Sequence, residues 1–235
     1  MLLPVFLLAQ NPFFKEIPVN KVLKKTRKGK VTSIQYAENK SFVVAVSYDD
    51  ISELFYFTPD NRKVALQLNV NGSESQPYLS RSNGRYVVFT VSDQFQLTDI
   101  YMADVEKRIM AQVTGTIKNE FNPSICNDGS RIVYEIGSDP ENPDMHSNII
   151  LFITNGGEQI QVTDKNKNKQ ACISGDGTKI LYKETTFDEK EYLVMYDIQN
   201  KTSENIQTGK EGQFGYLSTN FNGEYILFSK FNDSG

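Results

Sequence analysis

Apolar positions in this chain come in short runs of four to seven residues, and clusters of Asn, Asp, Gly and Ser separate the runs. Residues 122–163 show the unit most clearly. A proline-led apolar segment, Pro123 to Cys126, enters a turn at Asn127, Asp128 and Gly129, and Ile132-Val133-Tyr134 follows. After a polar loop come Ile149 to Ile153, a turn at Asn155-Gly156-Gly157, and Ile160-Gln161-Val162-Thr163. Runs this short, rich in β-branched and aromatic residues and bounded by turn formers, predict four strands joined by three hairpins.

The unit repeats. Its turn glycine recurs as Gly84, Gly129, Gly177 and Gly223, at spacings of 45, 48 and 46 residues. A weaker copy lies 44 residues upstream of Gly84, with Lys40 in the glycine's place. The Asn or Asp beside these glycines suits a turn that needs positive φ. A period near 45 with several short strands in each copy is the signature of propeller blades. One such sheet cannot bury both of its faces, so successive sheets must stack about an axis. The expected fold is therefore all-β, a β-propeller of four-stranded antiparallel blades. Blades are expected at residues 30–70, 73–116, 117–164 and 165–210, with a half blade at 211–235. If residues 11–30 supply the outer strands of that half blade, the ring has about five blades. Otherwise the chain is a fragment of a larger ring.

Several linked pieces resemble the TolB-like, WD-repeat-like β-propeller family. PSICNDGSRIVY, from Pro123 to Tyr134, is similar to that family's P-x-F-S-P-D-G-x-x-I-x-F core. Asp99-Ile100-Tyr101-Met102-Ala103-Asp104 resembles its D-I-Y-x-x-D strand, and Asn155-Gly156-Gly157 with Gln161-Val162-Thr163 resembles its outer turn and strand. The departures are Ile125 and Ile173 in place of Phe, and Asn127 and Gly175 in place of the turn proline. The resemblance covers residues 31–235. It implies the fold, and a wide range of roles: envelope-complex proteins, propellers fused to peptidoglycan-binding domains, and propellers that gate serine peptidases. Fold alone does not choose among them.

The first ten residues, MLLPVFLLAQ, are too short an apolar stretch to span a bilayer and read as the end of a secretory signal, with Ala9 as the small residue before cleavage. Export to the periplasm or secretion is the expected localisation. Net charge is −4, which gives no general case for nucleic acid. Residues 15–30 are the exception. They hold seven Lys and Arg against one Glu, and they read as a solvated leading segment or as a patch for anionic lipid or an acidic partner.

No catalytic, cofactor-binding or metal-ligating constellation is evident, and no enzyme activity or cofactor is expected. The single histidine, His146, has no nucleophile motif beside it. Asp139, Glu141 and Asp144 do not have the spacing of a calcium loop. Gly156-Gly157 and Gly175–Gly177 sit in hairpin turns, not before a helix that would cradle phosphate. Cys126 and Cys172 form no CxxC and are expected as buried free thiols. Phe55, Tyr56, Phe57, Tyr192 and Tyr196 are expected to pack between blades, with ligand stacking as the alternative. The expected function is a monomeric, non-catalytic binder of a protein or envelope component through rim loops such as 92–98 and 138–148. The alternative is the propeller of a larger enzyme, a serine peptidase or polysaccharide-acting protein.

Overall fold

A computed structural model describes residues 29–49, 51–65, 72–137, 147–164, 167–186, 188, 190–206 and 213–231. The leader at 1–10, the basic segment up to residue 28, and the loop at 138–146 with His146, Asp139, Glu141 and Asp144 lie outside them.

The described residues form five antiparallel sheets in chain order. The first is β1 (Lys30–Tyr36), β2 (Phe42–Ser47), β3 (Ser52–Phe57) and β4 (Lys63–Ala65). The second is β5 (Ser73–Leu79), β6 (Tyr86–Ser92), β7 (Thr98–Asp104) and β8 (Ile109–Gln112). The third is β9 (Glu120–Ile125), β10 (Arg131–Gly137), β11 (Ser147–Ile153) and β12 (Glu158–Gln161). The fourth is β13 (Asn168–Ile173), β14 (Lys179–Thr185), β15 (Glu191–Asp197) and β16 (Thr202–Ile206). The fifth has two strands, β17 (Gln213–Thr219) and β18 (Ile226–Phe231). Within each sheet the strands meander in sequence order, as the repeat predicts.

The turn anchors do what their residue types suggest. Gly84, Gly129, Gly177 and Gly223 have φ between +59° and +74°, and Lys40 in the weaker copy is forced to +73°. A left-handed lysine costs about 1–2 kcal/mol, so the fold imposes this turn even where the sequence lacks its glycine.

The first strands of the second to fifth sheets, β5, β9, β13 and β17, each pack against the sheet before, and apolar side chains fill the four joints. Val43, Ala45, Leu54 and Tyr56 meet Leu79, Val87 and Phe89 between the first two sheets. Val88 and Ile100 meet Ile125, Ile132 and Tyr134 at the second joint. Val133, Ile149 and Leu151 meet Ala171, Ile173, Ile180 and Val194 at the third. Cys172, Leu181 and Leu193 meet Phe214 and Leu217 at the fourth. This stacking buries both faces of sheets that would otherwise be two-sided, the physical reason the repeat exists.

All five inner strands also carry a register shift. In β5, β9 and β13 a left-handed polar residue marks it: Gln76, Asn122 and Gln170, with φ of +47°, +50° and +55°. A bulge takes a backbone N–H out of the ladder, and the neighbouring sheet supplies an acceptor. Asn122 N donates to Gln76 Oε1 (2.7 Å), and Gln170 N donates to Glu135 Oε1 (2.6 Å). Close by, Phe214 N donates to Glu191 Oε2 (2.6 Å). At the first joint Leu54 N donates to Glu74 Oε2 (2.9 Å).

At the other end of the inner strands, the turns are linked in series around the stack. Glu38 N donates to the Arg81 carbonyl (2.7 Å), Asn127 N to the Gly175 carbonyl (2.8 Å), and Asp176 N to the Phe221 carbonyl (2.7 Å). The Asn127 side chain closes the remaining step, with its Oδ1 accepting from Arg81 N (2.9 Å). The chain of sheets ends openly among the described residues. Among the described residues no strand pairs with the outer side of β18, and Tyr225, Leu227 and Phe231 are 73%, 65% and 59% exposed.

Candidate interaction surface

The antiparallel meander puts the second-to-third strand turns and the sheet-to-sheet connections at one end of the stack. In the second sheet this end carries the loop at 92–98, which was singled out from sequence, and the connection at 113–119. Asp93 organises the first of these. Its Oδ1 accepts from Phe95 N (2.8 Å) and Leu97 N (2.9 Å), its own N donates to the Leu97 carbonyl (2.9 Å), and Gln96 is left-handed at φ +64°. The result is a locked turn with Phe95 at its tip, 73% exposed.

The connection at 113–119 is fixed in a similar way. Lys118 N donates to Thr116 Oγ1 (3.0 Å), and Thr116 Oγ1 donates to Glu120 Oε1 (2.5 Å). Ile117 is held outward, 88% exposed. Thr98 N donates to Asn119 Oδ1 (3.0 Å), which ties the two loops together. Two large apolar side chains thus stand in water on loops that are already ordered. Neither was picked out individually from sequence; a lone Phe or Ile in a polar loop is the only signal, and exposure is decided by the loop's fold.

Buried carboxylates gather at the same end. Glu120 and Glu135 are almost wholly buried, and burial is the main cause that pushes each up to about 7. Glu74 is raised to about 7 in the same way. Glu135 accepts from Asn122 Nδ2 (2.9 Å) and Gln170 N and lies in a strand between apolar neighbours, so its work is to fasten a joint. Glu120 sits beside Thr114 and Asp99. Thr114 Oγ1 lies within 3.3 Å of both Asp99 Oδ1 and Glu120 Oε2, so these two acids share one hydroxyl. Among the described residues no cluster of three or more His, Cys, Asp or Glu side chains could hold a metal ion.

Two clefts open between sheets. One, of about 740 Å³, lies between the outer strands of the first and second sheets and is lined by Arg62, Lys63, Asp104, Glu106 and Arg108. The other, of about 580 Å³, lies between the third and fourth sheets beside Asn168, Glu184 and Tyr192.

The other sequence candidates resolve into packing. Phe57 stacks on Phe42 with ring centres 4.6 Å apart, and Phe55 lies under Lys63 Nζ at 3.6 Å. Tyr56 is buried and donates its hydroxyl to the Gly84 carbonyl (2.9 Å), crossing to the second sheet. Tyr196 packs in the third joint, while Tyr192 stands at its edge, 36% exposed. Both cysteines are free and buried. Burial raises the Cys126 thiol, which also donates to Asp128 Oδ1 (2.9 Å), and pushes Cys172 up to about 12, so neither is poised as a thiolate.

No protein-family profile matches the sequence, and no curated protein matches it. Among solved structures, TolB from Acinetobacter baumannii superposes with a TM-score of 0.61 at 16% identity, over 84% of this chain and 48% of that one. The tricorn protease matches at 0.62 and 14% identity, over 88% of this chain and 25% of that one. The β-propeller domain of the Trilobed protease from Pyrococcus furiosus matches at 0.59 and 11% identity, over 88% and 64%. The chain therefore spans about half the length of the TolB structure. At these identities the likeness concerns the fold, and with the four-stranded sheets, their joints and the repeated left-handed turns it gives one conclusion: this chain has a β-propeller fold of the kind seen in TolB and in protease propeller domains.

Proposed function

We propose that this propeller is an exported, non-catalytic module that binds a protein through its loop end, with Phe95 and Ile117 as anchors. The observation that carries the reading is the pair of exposed apolar side chains on locked, hydrogen-bonded loops. Apolar anchors held in place before binding lose little conformational entropy on association, and aromatic residues of this kind dominate interface energetics. The likeness to TolB supports a binding role, and the apolar leader supports export. The basic stretch at 15–30 would then face an acidic partner or anionic lipid, and the module would act as a monomer.

The test is site-specific crosslinking in the producing cell, with a photo-crosslinker at Gln94 or Lys118, followed by identification of the adduct. A single protein captured by the wild type, lost in Phe95→Ser/Ile117→Ser and retained in Tyr225→Ser, is the expected result. Equal capture by the double variant would overturn the reading.

The second reading is a propeller within a larger enzyme. Its support is the likeness to the tricorn protease, of which this chain covers only 25%, and to the propeller domain of the Trilobed protease. Continuation of the reading frame past Gly235 into a G-x-S-x-G segment with later Asp and His would favour it.

A further inference from the structure

The arginine at the turn end of β5 differs in its company from Arg85, Lys183 and Arg131. Arg85 pairs with Asp104 (Nη2 to Oδ2, 2.7 Å), and Lys183 pairs with Glu191 (2.9 Å). Arg131 donates to the Gly177 carbonyl (2.6 Å) with the Asp128 carboxylate beside it. Arg81 has only neutral partners among the described residues. Its Nε donates to Tyr78 Oη (2.8 Å), its Nη1 donates to the Thr219 carbonyl, and its guanidinium lies 5.4 Å from the Tyr78 ring centre.

The position is equally distinctive. Tyr78 belongs to β5 and Thr219 to β17, three sheets further on. The Tyr78 phenol stands beside Ser124 of β9 and Cys172 of β13. The Arg81–Tyr78 pair thus meets the ends of four successive inner strands, β5, β9, β13 and β17, which places the guanidinium near the axis about which the sheets stack. The groups that face it, Tyr78, Cys172 and Tyr216, include no second cation and no carboxylate.

We propose that the Arg81 guanidinium is a carboxylate-binding site on the propeller axis, in which ligand oxygens replace the Thr219 carbonyl. A half-buried cation with no counter-charge among the described residues lacks the partner that normally offsets its desolvation. The planar fork of arginine matches a carboxylate with two parallel hydrogen bonds, stronger than one to a neutral carbonyl. A single guanidinium flanked by phenols balances one negative charge, which favours a carboxylate over a phosphate dianion. The site lies at the opposite end of the stack from Phe95 and Ile117, so it stands or falls independently of the protein-binding reading.

The carboxylate has two sources, a small free acid or the terminus of a peptide, and thermal melting of the whole chain separates them. Sodium acetate is compared with sodium chloride at equal ionic strength. A short peptide with a free C-terminal carboxylate is compared with its amidated form. The expected result is a saturable rise in melting temperature with acetate beyond that with chloride, or with the free-acid peptide beyond the amide, and its loss in Arg81→Gln. Response to acetate and peptide alike identifies a small-acid site, and response to the free-acid peptide alone identifies a peptide terminus. Arg81→Lys keeps the charge without the fork and is expected to weaken binding about tenfold, the loss of one charge-assisted hydrogen bond. It also carries the test if Arg81→Gln does not fold. No carboxylate-specific shift in the wild type, or the same shift in the variants, would sink the proposal.

Discussion

The backbone N–H of Gln170 donates to Glu135 Oε1 at 2.6 Å, across the joint between the third and fourth sheets. Gln170 is left-handed at a bulge, so its N–H has left the strand ladder, and Glu135 reaches over from the neighbouring sheet to accept it. The same oxygen accepts from Asn122 Nδ2. Removing the acceptor leaves two donors unpaired in a buried joint. Glu135→Ala is expected to lower stability by about 2–4 kcal/mol, at about 1–3 kcal/mol per orphaned group with partial relaxation. Glu135→Gln keeps Oε1 and should cost much less. Urea denaturation of both variants checks this, and equal losses would show that the carboxamide cannot replace the carboxylate.

The same glutamates make stability depend on pH. Glu74, Glu120 and Glu135 hold their protons up to about 7 in the fold, against an ordinary value of 4.5. Between those values the folded chain binds more protons than the unfolded one, so stability falls as pH rises and levels off above about 7. Asp104, Asp128 and Asp176 act in the opposite sense. Arg85 is the main cause that holds Asp104 low, and hydrogen bonds to Cys126 and Ser130, and to Ser174 and Thr178, lower the other two against their burial. Their contribution is lost as pH drops below the usual carboxylate range. Melting temperatures across pH 3 to 9 are expected to peak near about 4.5–5, with a shallower alkaline decline in Glu135→Gln. A maximum at pH 7 to 8 would contradict the assignment.

Lys40 occupies a turn position that is glycine in the four other copies, at φ +73°. Lys40→Gly is expected to stabilise by about 1 kcal/mol, the left-handed strain relieved less the added backbone entropy of glycine. In contrast, an ideal Cβ on Gly129 would meet the Tyr86 ring at 2.8 Å, at φ +74°. Gly129→Ala therefore combines strain with a clash and should cost about 2 kcal/mol or more. Paired melts of the two variants test whether the left-handed turn is imposed by the fold.

The thiols report on the joints. Cys126 lies in the third joint and Cys172 in the fourth, both buried and both raised above their ordinary value. Neither is expected to react with a thiol reagent in the native chain at neutral pH, and both should react once the chain is unfolded. Native labelling of Cys172 alone would mean that the fourth joint, next to the open two-stranded sheet, opens before the rest.

Much of this architecture was legible in the sequence because it repeats. The spacing of Gly84, Gly129, Gly177 and Gly223 marks the turns, and alternating apolar runs between them mark the strands. Gly and Asn at those turns are local requirements of backbone geometry, which sequence carries directly. The lysine that replaces the first glycine was legible for the same reason, since the flanking runs kept their register. Glu135 and Arg81 were not. A glutamate inside RIVYEIG and an arginine in SRSNG look like ordinary solvent-facing residues until neighbouring sheets are placed around them. Phe95 and Ile117 also needed the folded loops before their exposure could be seen.

By itself, then, the sequence determined the all-β class, the blade period and the turn chemistry, because strand propensity, alternation and left-handed turns act over a few residues. Tertiary structure alone decided which polar groups fasten the joints, where the arginine meets the axis, and which apolar side chains stay in water. Those outcomes depend on contacts between residues tens to more than a hundred positions apart, where burial and hydrogen-bond satisfaction are set by stacking and no local pattern records them.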